Sequence, residues 1–395
     1  MPKKRLAPRR PRGALRLTTL YGPLAAVALL GLGCGDGDGL DGPPAVDVTS
    51  PPPERLSSFR LFAWDERSGF SYNDRVVPYE LNTPLFSDFA LKERALYLPE
   101  GEAASFDTEQ VFAFPVGTAI VKTFYYPADL REPEVDRRLL ETRVLLHTPS
   151  GWEAWPYIWN EEQTDAVLSP AGRSLSVSFV GRDGEGRTAS YLIPQRNQCL
   201  SCHERSPRPG TAAEMTVIGP AARHLHRTYD YGADGERNQL EYLDELGMLS
   251  GFPGAGAVEA AYDFAPIEED GLAAVPDEDL DKAARDYMDI NCAHCHSPLA
   301  RQGVTSQLFL NHDNDDEFRL GVCKRPGSAG AGTGGLTYDI VPGNPDESIL
   351  VFRVETTRVG AMMPLLGRSL EHDHGAELLR AWVGAMPAID CDAQE

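Results

Sequence analysis

The sequence is short of basic residues, and this shortage excludes one class of partner. Lysine and arginine together number 37 against 59 aspartates and glutamates, which gives a formal charge of −22. A nucleic-acid-binding protein needs lysine and arginine to neutralise phosphates, so nucleic acid is not expected as a partner. An acidic surface instead steers basic or neutral partners.

Long apolar runs are missing after the first 33 residues, so no later segment is expected to span a bilayer. Residues 1–33 are different, because basic residues up to Arg16 are followed by the apolar stretch 17–32 and by Gly33-Cys34. This pattern predicts a lipoprotein-type signal peptide with Cys34 as the lipidated residue. The alternative is an ordinary secretory signal. Removal of residues 1–33 leaves 30 basic against 59 acidic residues, a charge of −29.

Two familiar site patterns are also lacking. The glycine-rich residues 327–335 do not end in the Gly-Lys-Ser/Thr of a phosphate-binding loop, which excludes that kind of nucleotide site. Residues 58–194 show no spacing of a catalytic triad or a metal site. Their charged residues Asp88, Glu93 and Arg94 are therefore interpreted as a solvated face, and their tryptophans and tyrosines at 152–159 as core packing rather than as a binding platform.

Cysteine is scarce, at seven residues, but four of the seven form two copies of one pattern. Residues 199–203 and 292–296 both read Cys-x-x-Cys-His, the attachment signal of a c-type haem. The two thiols of each copy bond one haem, and the histidine that follows ligates its iron. The sequence therefore predicts two covalently bound haems c, held by Cys199, Cys202, Cys292 and Cys295, with His203 and His296 as iron ligands.

The alternative for these cysteines is a structural zinc site. Such sites usually place about 15–20 residues between two Cys-x-x-Cys pairs, whereas these pairs are far apart and each precedes a histidine. Haem is therefore preferred, and His294, inside the second motif, is expected to be a surface or second-layer residue. The remaining Cys323 and Cys391 are expected to form a disulfide, because disulfides persist in an exported protein.

A sixth iron ligand is expected where a haem only carries electrons. Met363, in the Met-Pro sequence ahead of the last predicted helix, is preferred for the second haem, and Met362 is its rival. The first haem has four candidates, and its ligand can instead come from another domain or be absent. Met248 has a plainer interpretation as a core residue, and His224 and His226 as surface residues. The four are Met215, His224, His226 and Met248.

The pattern of residue types predicts an α+β multidomain chain. A disordered acidic Pro-Gly linker is expected at 34–57, and a β-rich domain at 58–194 with strands near 110–127, 143–147, 175–180 and 189–193. A first haem segment, 195–265, and a C-terminal cytochrome c domain, 277–395, are both expected to be mainly helical. Predicted helices cover residues 238–249, 280–290, 348–354 and 376–385.

Longer segments carry a family resemblance that covers about residues 58–390. The chain resembles a family of exported bacterial dihaem c-type cytochromes, in which a β-rich region precedes two haem segments. The resemblance lies in VPYELNTPLFSDFALKERALYLPEG, VGTAIVKTFYYP, WPYIWNEEQTDA, QCLSCH, NQL, NCAHCH, VPGNPDESIL and MMPLLGR. It implies haem binding and electron transfer, and it names no substrate.

The expected function is therefore electron transfer through two haems in the bacterial cell envelope. The protein would be a lipid-anchored lipoprotein facing the periplasm or the cell surface, with other redox proteins as partners. The alternative is an enzyme of the dihaem peroxidase or oxidase type, in which one haem stays five-coordinate. A third interpretation makes the β-rich domain a binding module.

Overall fold

Strands dominate the chain from residue 56 to residue 250, the β-rich part, and helices dominate residues 265–394, the helical part. The chain is thus an α+β protein. The computed structural model describes residues 40–206, 210–301, 307–328 and 330–394, so the predicted signal peptide and Cys34 lie outside the described residues.

The strands and helices have the following bounds. The strands are β1 Phe62–Asp65, β2 Gly69–Tyr72, β3 Val76–Pro78, β4 Leu91–Tyr97, β5 Ala104–Ser105, β6 Ala119–Tyr126, β7 Arg138–Thr148, β8 Gly151–Trp159, β9 Ala166–Leu168, β10 Arg173–Val180, β11 Gly186–Ile193, β12 Glu204–Arg205, β13 Glu214–Met215, β14 Thr228–Asp230, β15 Glu236–Asn238 and β16 Leu249–Ser250. The helices are α1 Leu200–His203, α2 Ala222–Leu225, α3 Gln239–Glu245, α4 Ala265–Asp270, α5 Leu280–Asn291, α6 Glu317–Leu320, α7 Ile349–Glu355 and α8 Asp373–Ala385.

The centre of the β-rich part is an antiparallel sheet of six strands in the order β3-β4-β6-β7-β8-β9. Alternate residues of each strand point to opposite faces, and both faces are covered. Ala95, Val121 and Val144 pack on one face against the segment around Phe59, and Tyr157 joins the same core. The burial of Tyr157 fits the core-packing interpretation of the aromatic cluster.

Residues 195–265 pack on the opposite face of the sheet, and this differs from the prediction of a mainly helical segment. Leu96 and Ile120 of the sheet share one core with Leu225, Leu240 and Met248 from that segment. Its helices α1 and α2 are four residues long and α3 is seven, and short strands separate them. This segment is therefore a layer on the sheet and not a mainly helical domain, because its apolar residues complete the core of the sheet.

The predicted linker also differs from expectation over its described residues. Ala45 donates a backbone hydrogen bond to Phe59, and Glu54 accepts one from Leu168. Val46 and Val48 pack against the core around Phe59. Residues 45–54 thus lie along the sheet, because two valines and backbone pairing outweigh the glycine, proline and acidic residues around them.

The helical part has a core of its own. Ala284 and Met288 of α5, Val351 of α7 and Leu379 and Trp382 of α8 lie in one buried cluster. The Trp382 indole also donates a hydrogen bond of 2.7 Å to Asp281 of α5. The three helices predicted in this region are therefore present, with bounds within a few residues of those expected.

Hydrogen bonds join the two parts directly. The Asn291 side chain of α5 accepts a bond of 2.9 Å from the Phe86 backbone, and Thr83 donates one of 2.8 Å to Tyr262. Asp88 accepts bonds from the backbone of Ser369 and Leu370 at 2.6 and 2.8 Å. Residues 38–395 form one compact unit as a result.

Within the described ranges, none of the helices has the length and apolar character needed to cross a membrane.

Candidate functional site

The fold brings the two Cys-x-x-Cys-His motifs into contact. Ligand atoms of Cys202, His294 and Cys295 all lie within 4.8 Å of one another. The Cys295 thiol also donates to the Ser201 carbonyl at 3.5 Å. We call residues 199–203 the first motif and residues 292–296 the second motif. Their contact links the β-rich part to the helical part at the position of the predicted haem sites.

Each motif is held by the secondary structure that precedes it. The first motif follows a short 3₁₀ turn whose start is closed by Gln195 and Gln198, and α1 carries its second cysteine and its histidine. The second motif follows α5, where Cys292 ends the helix by donating to the Met288 carbonyl. His296 continues the turn by donating from its backbone to Cys292 at 2.8 Å.

The His203 ring is held through one of its two nitrogens. Its Nδ1 lies 2.8 Å from the Thr216 carbonyl, and because a carbonyl only accepts, Nδ1 carries the proton. Nε2 is therefore unprotonated and offers a lone pair to a metal. Burial lowers the pKa of His203 to about 4, so the ring is neutral at pH 7.

His296 is also buried, but its Nδ1 has no hydrogen-bond partner within the described residues. Burial lowers its pKa to about 4, while the Leu308 backbone acts in the opposite direction. Leu310, two residues later, donates its backbone N–H to the His296 carbonyl at 2.7 Å. The His203 ring is thus held by backbone 13 residues further along the chain, as metal-ligating histidines usually are, whereas the 2.7 Å bond at His296 joins backbone to backbone.

A cavity opens beside each motif. The second cavity, about 450 Å³, is lined by Cys292, Cys295 and His296 of the second motif and by apolar residues such as Leu308 and Ile340. The first cavity, about 220 Å³, is lined by Cys199, Cys202 and His203 of the first motif. An apolar cavity of about 300–1,000 Å³ is typical for a cofactor or small molecule, and the second cavity is within that range.

The predicted ligand Met363 lies at the second cavity. Met363 and Pro364 line that cavity together with His296, whereas its rival Met362 is not among the described residues that line it. Leu366 and Gly367 line the first cavity. The loop 363–367 therefore forms a wall of both cavities, and Met363 stays the preferred ligand of the second.

The four candidates for the first haem lie elsewhere. Met248 is 1 % exposed within the sheet core, and Met215 packs against the same core. His224 pairs with Asp289 at 3.4 Å, and His226 donates to the Val258 carbonyl at 2.8 Å. Among the described residues that line the first cavity, none is one of these four.

His294 is buried, which corrects one of its two expected positions, the surface. It is 8 % exposed, lines both cavities and contacts a cysteine of each motif. The Cys295 thiol, and then His294, lower the pKa of Cys202, and the same contact raises the pKa of Cys295. The sequence holds no signal for this arrangement, since it depends on how two segments meet in space.

The geometry also bears on the zinc alternative. Cys202, His294 and Cys295 are suitable zinc ligands, but a structural zinc ion takes four. In the described part of the chain the cluster has three members. Cys199 and Cys292 line opposite cavities instead. Three protein ligands and a water molecule complete a catalytic zinc site, so this cluster also suits one shared metal ion, and haem at each motif stays a prediction.

Three basic side chains line the first cavity, and the sequence predicts no site role for them. Arg94 is 7 % exposed, and Lys122 and Arg143 lie beside it on the sheet. The interpretation of Asp88 and Arg94 as a solvated face is therefore wrong, since both are buried. The alternation of Lys92, Arg94 and Leu96 along β4 is the signal that places them on one face.

The two cysteines outside the motifs lie in the helical part. Cys323 and Cys391 form a disulfide that closes a loop of the C-terminal segment. They pack against Tyr338 and Val341, away from the motif cysteines.

The chain matches no protein family model, no curated protein and no solved structure.

Proposed function

We propose that this chain is a dihaem c-type cytochrome that transfers electrons in the bacterial cell envelope. The observation that carries the proposal is the pair of Cys-x-x-Cys-His motifs, each beside a cavity and each with a buried histidine whose pKa is lowered to about 4. A covalently held haem supplies an iron that gains and loses one electron.

The residues of the chain have separate roles in this proposal. Cys199 and Cys202 hold one haem, and Cys292 and Cys295 hold the other. His203 and His296 are the proximal ligands, and Met363 is the distal ligand in the second cavity. The contact between Cys202 and Cys295 supports electron exchange within the molecule, because it brings the two attachment sites together.

The acidic charge and the predicted signal peptide support a role in the cell envelope. A mature charge of −29 favours a redox partner with a basic docking surface. Cys34 would anchor the chain to a membrane through its lipid, with the protein facing the periplasm or the cell surface.

A haem assay tests the proposal directly. The mature chain is produced in a host that exports and matures cytochromes, and haem per chain is measured from the pyridine haemochrome spectrum with zinc by elemental analysis. Two haems and no zinc are expected. Cys199→Ser with Cys202→Ser should leave one haem, and so should the matched pair Cys292→Ser with Cys295→Ser. Zinc without haem would contradict the proposal.

One observation favours a second candidate, an enzyme of the peroxidase or oxidase type. Among the described residues that line the first cavity there is no methionine, and its histidines are His203 and His294 of the motifs. The iron at His203 would then have an open position. Electron paramagnetic resonance of the ferric protein separates the candidates, because two low-spin haems indicate an electron carrier. One high-spin haem that binds peroxide indicates the enzyme.

A further inference from the structure

One row of the central sheet carries three basic side chains toward the first cavity. Arg94 of β4 lies opposite Lys122 of β6, and Lys122 lies opposite Arg143 of β7. Residues opposite one another on neighbouring strands point to the same face. All three line the first cavity, as do Cys199 and His203. We call these three residues the cation row.

Arg143 has an acid of its own. Its guanidinium donates two hydrogen bonds to Glu141, at 2.6 and 2.9 Å. Glu141 is fully buried and also accepts a bond of 2.7 Å from the Tyr191 hydroxyl. This bidentate pair balances the charge of Arg143, and Glu141 has both oxygens in use.

Arg94 and Lys122 lack such a partner. Arg94 is more than nine-tenths buried, and its Nη2 has no hydrogen-bond partner within the described residues. Its Nη1 reaches the Lys92 carbonyl at 3.5 Å. Over the same ranges the structure shows no ion pair between a carboxylate and either Arg94 or Lys122. The cavity wall therefore holds a guanidinium and an amine without a counter-charge, and burial, then the charge of Arg94, lower the pKa of Lys122 well below its usual range.

Such an arrangement is unfavourable unless something neutralises it. Like charges directly opposite on neighbouring strands destabilise a sheet, and a buried charge without a partner adds the cost of its desolvation. An anion in the cavity reverses both effects, since guanidinium and ammonium groups form charge-assisted hydrogen bonds with it. A guanidinium fork is best matched by an acceptor with two oxygens, such as a carboxylate or a small oxyanion.

We propose that the cation row is a binding site for a carboxylate or small oxyanion in the first cavity. Two sources can supply this chemistry, a propionate of a haem held by the first motif or a free anion. The site goes beyond the proposed function, because it rests on the sheet and needs neither redox activity nor a particular distal ligand.

The first experiment titrates the haem-loaded, full-length mature protein with nitrite, and separately with formate, by calorimetry at low ionic strength. Arg94→Gln and Lys122→Gln each change one basic side chain of the row, while Lys282→Gln makes the same change at a partly exposed lysine outside both cavities. Each row variant should bind the probe about 10- to 100-fold more weakly than the wild type does. Lys282→Gln should bind as the wild type does.

A second measurement identifies the haem as the source. If propionates occupy the row, the wild type binds neither probe, and the propionate vibrations of one haem shift in Arg94→Gln and Lys122→Gln. Either result supports the anion site. Wild-type melting with and without nitrite adds a readout that needs no variant, since a bound anion raises the melting temperature.

The proposal is overturned by a different set of results. These are no binding of either probe, no change in wild-type melting, unaltered haem spectra in both variants, and a higher melting temperature in Lys122→Gln through relief of repulsion. The pyridine haemochrome of the same preparations reports separately on the proposed function. A haem-free protein would refute the cytochrome, while the titration would still decide whether the row binds anions.

Discussion

At the scale of single residues, Met363 makes the proposed function testable at one side chain. A thioether ligand raises the potential of a c-type haem, and Met363 lines the second cavity with His296. Met363→Ala should lower the potential of one haem by on the order of 0.1 V and turn that haem high-spin. Redox titration with visible and electron paramagnetic resonance spectra measures both effects.

Met362→Ala is the matched control, since it removes the neighbouring thioether. It should leave the potential and the spin state of both haems unchanged. The assignment of Met363 is wrong if both haems of Met363→Ala keep their wild-type ferric spectra, or if Met362→Ala is the variant that changes them.

The lowered pKa of Lys92 should make the stability of the protein depend on pH. Burial, and then the charge of Arg94, lower the pKa of Lys92 to about 7 from its usual 10.5. The folded state therefore disfavours the charged amine, and the unfolded chain binds more protons between pH 7 and 10.5. The contribution of Lys92 to stability is thus least favourable below pH 7, and it improves as the pH rises toward 10.5.

Lys92→Met removes this effect. The variant should be more stable than the wild type by about 2–4 kcal/mol at pH 6, and the difference should fade as the pH approaches 10.5. Urea unfolding at a series of pH values measures it. Lys282→Met, at a partly exposed lysine that pairs with Glu259 and Asp286, should show no such trend between pH 7 and 10.5. A constant difference between Lys92→Met and the wild type at every pH would refute the explanation.

At the scale of secondary-structure elements, the contact between α5 and α8 depends on one glycine. A Cβ added at Gly375 would lie 2.2 Å from the Tyr287 hydroxyl and 2.7 Å from His372 Nδ1. That hydroxyl donates to His372 Nδ1 at 3.0 Å, because His372 Nε2 donates its proton to Glu268 at 2.8 Å. A side chain at 375 must therefore separate the helices or break this chain of hydrogen bonds.

Gly375→Ala should destabilise the protein by about 1–3 kcal/mol, the usual cost of overpacking. Gly384→Ala is the control on the same helix, because a Cβ there meets no atom within 4 Å. It should raise stability by about 0.5–1 kcal/mol, the difference in helix preference between alanine and glycine. Thermal unfolding of both variants measures the contrast, and equal effects would contradict the packing argument.

The elements also show what sequence reasoning can reach. Apolar residues repeat with helical spacing along α5 and α8, and β-branched residues crowd β6, so local patterns predict these elements. The segment 195–265, which contains the first haem motif and helical spacing at 238–249, is predicted to be mainly helical. Its apolar residues instead complete the core of a sheet that lies earlier in the chain, and a local pattern does not contain that information.

The same limit applies to the site. The motif cysteines and histidines follow from a short local pattern, and they lie beside cavities. The contact of His294 with Cys202 depends on the meeting of two segments from different parts of the chain. The cation row depends on strand register, since a shift of one residue would turn Lys122 to the other face.

At the scale of the whole molecule, one buried ion pair joins the β-rich part to the helical part. Arg223 Nη1 of α2 lies 2.8 Å from Asp286 Oδ1 of α5 in an ion pair without hydrogen-bond geometry, and Asp286 is almost fully buried. Asp286 also accepts a hydrogen bond of 2.7 Å from the Tyr262 backbone and pairs with Lys282 at 3.2 Å. Its carboxylate thus connects both parts and the segment between them.

The wild type should therefore unfold in a single calorimetric transition. Asp286→Ala leaves the Arg223 guanidinium buried without its partner, which costs about 3–5 kcal/mol, and it also removes the acceptor of the Tyr262 N–H. The helical part should then lose its support from the sheet and melt first, so that one transition becomes two. Glu278→Ala, an exposed acid ahead of α5, should leave the single transition intact. Two transitions in the wild type would show that the two parts unfold independently. The ion pair would then not be what holds the two motifs in contact.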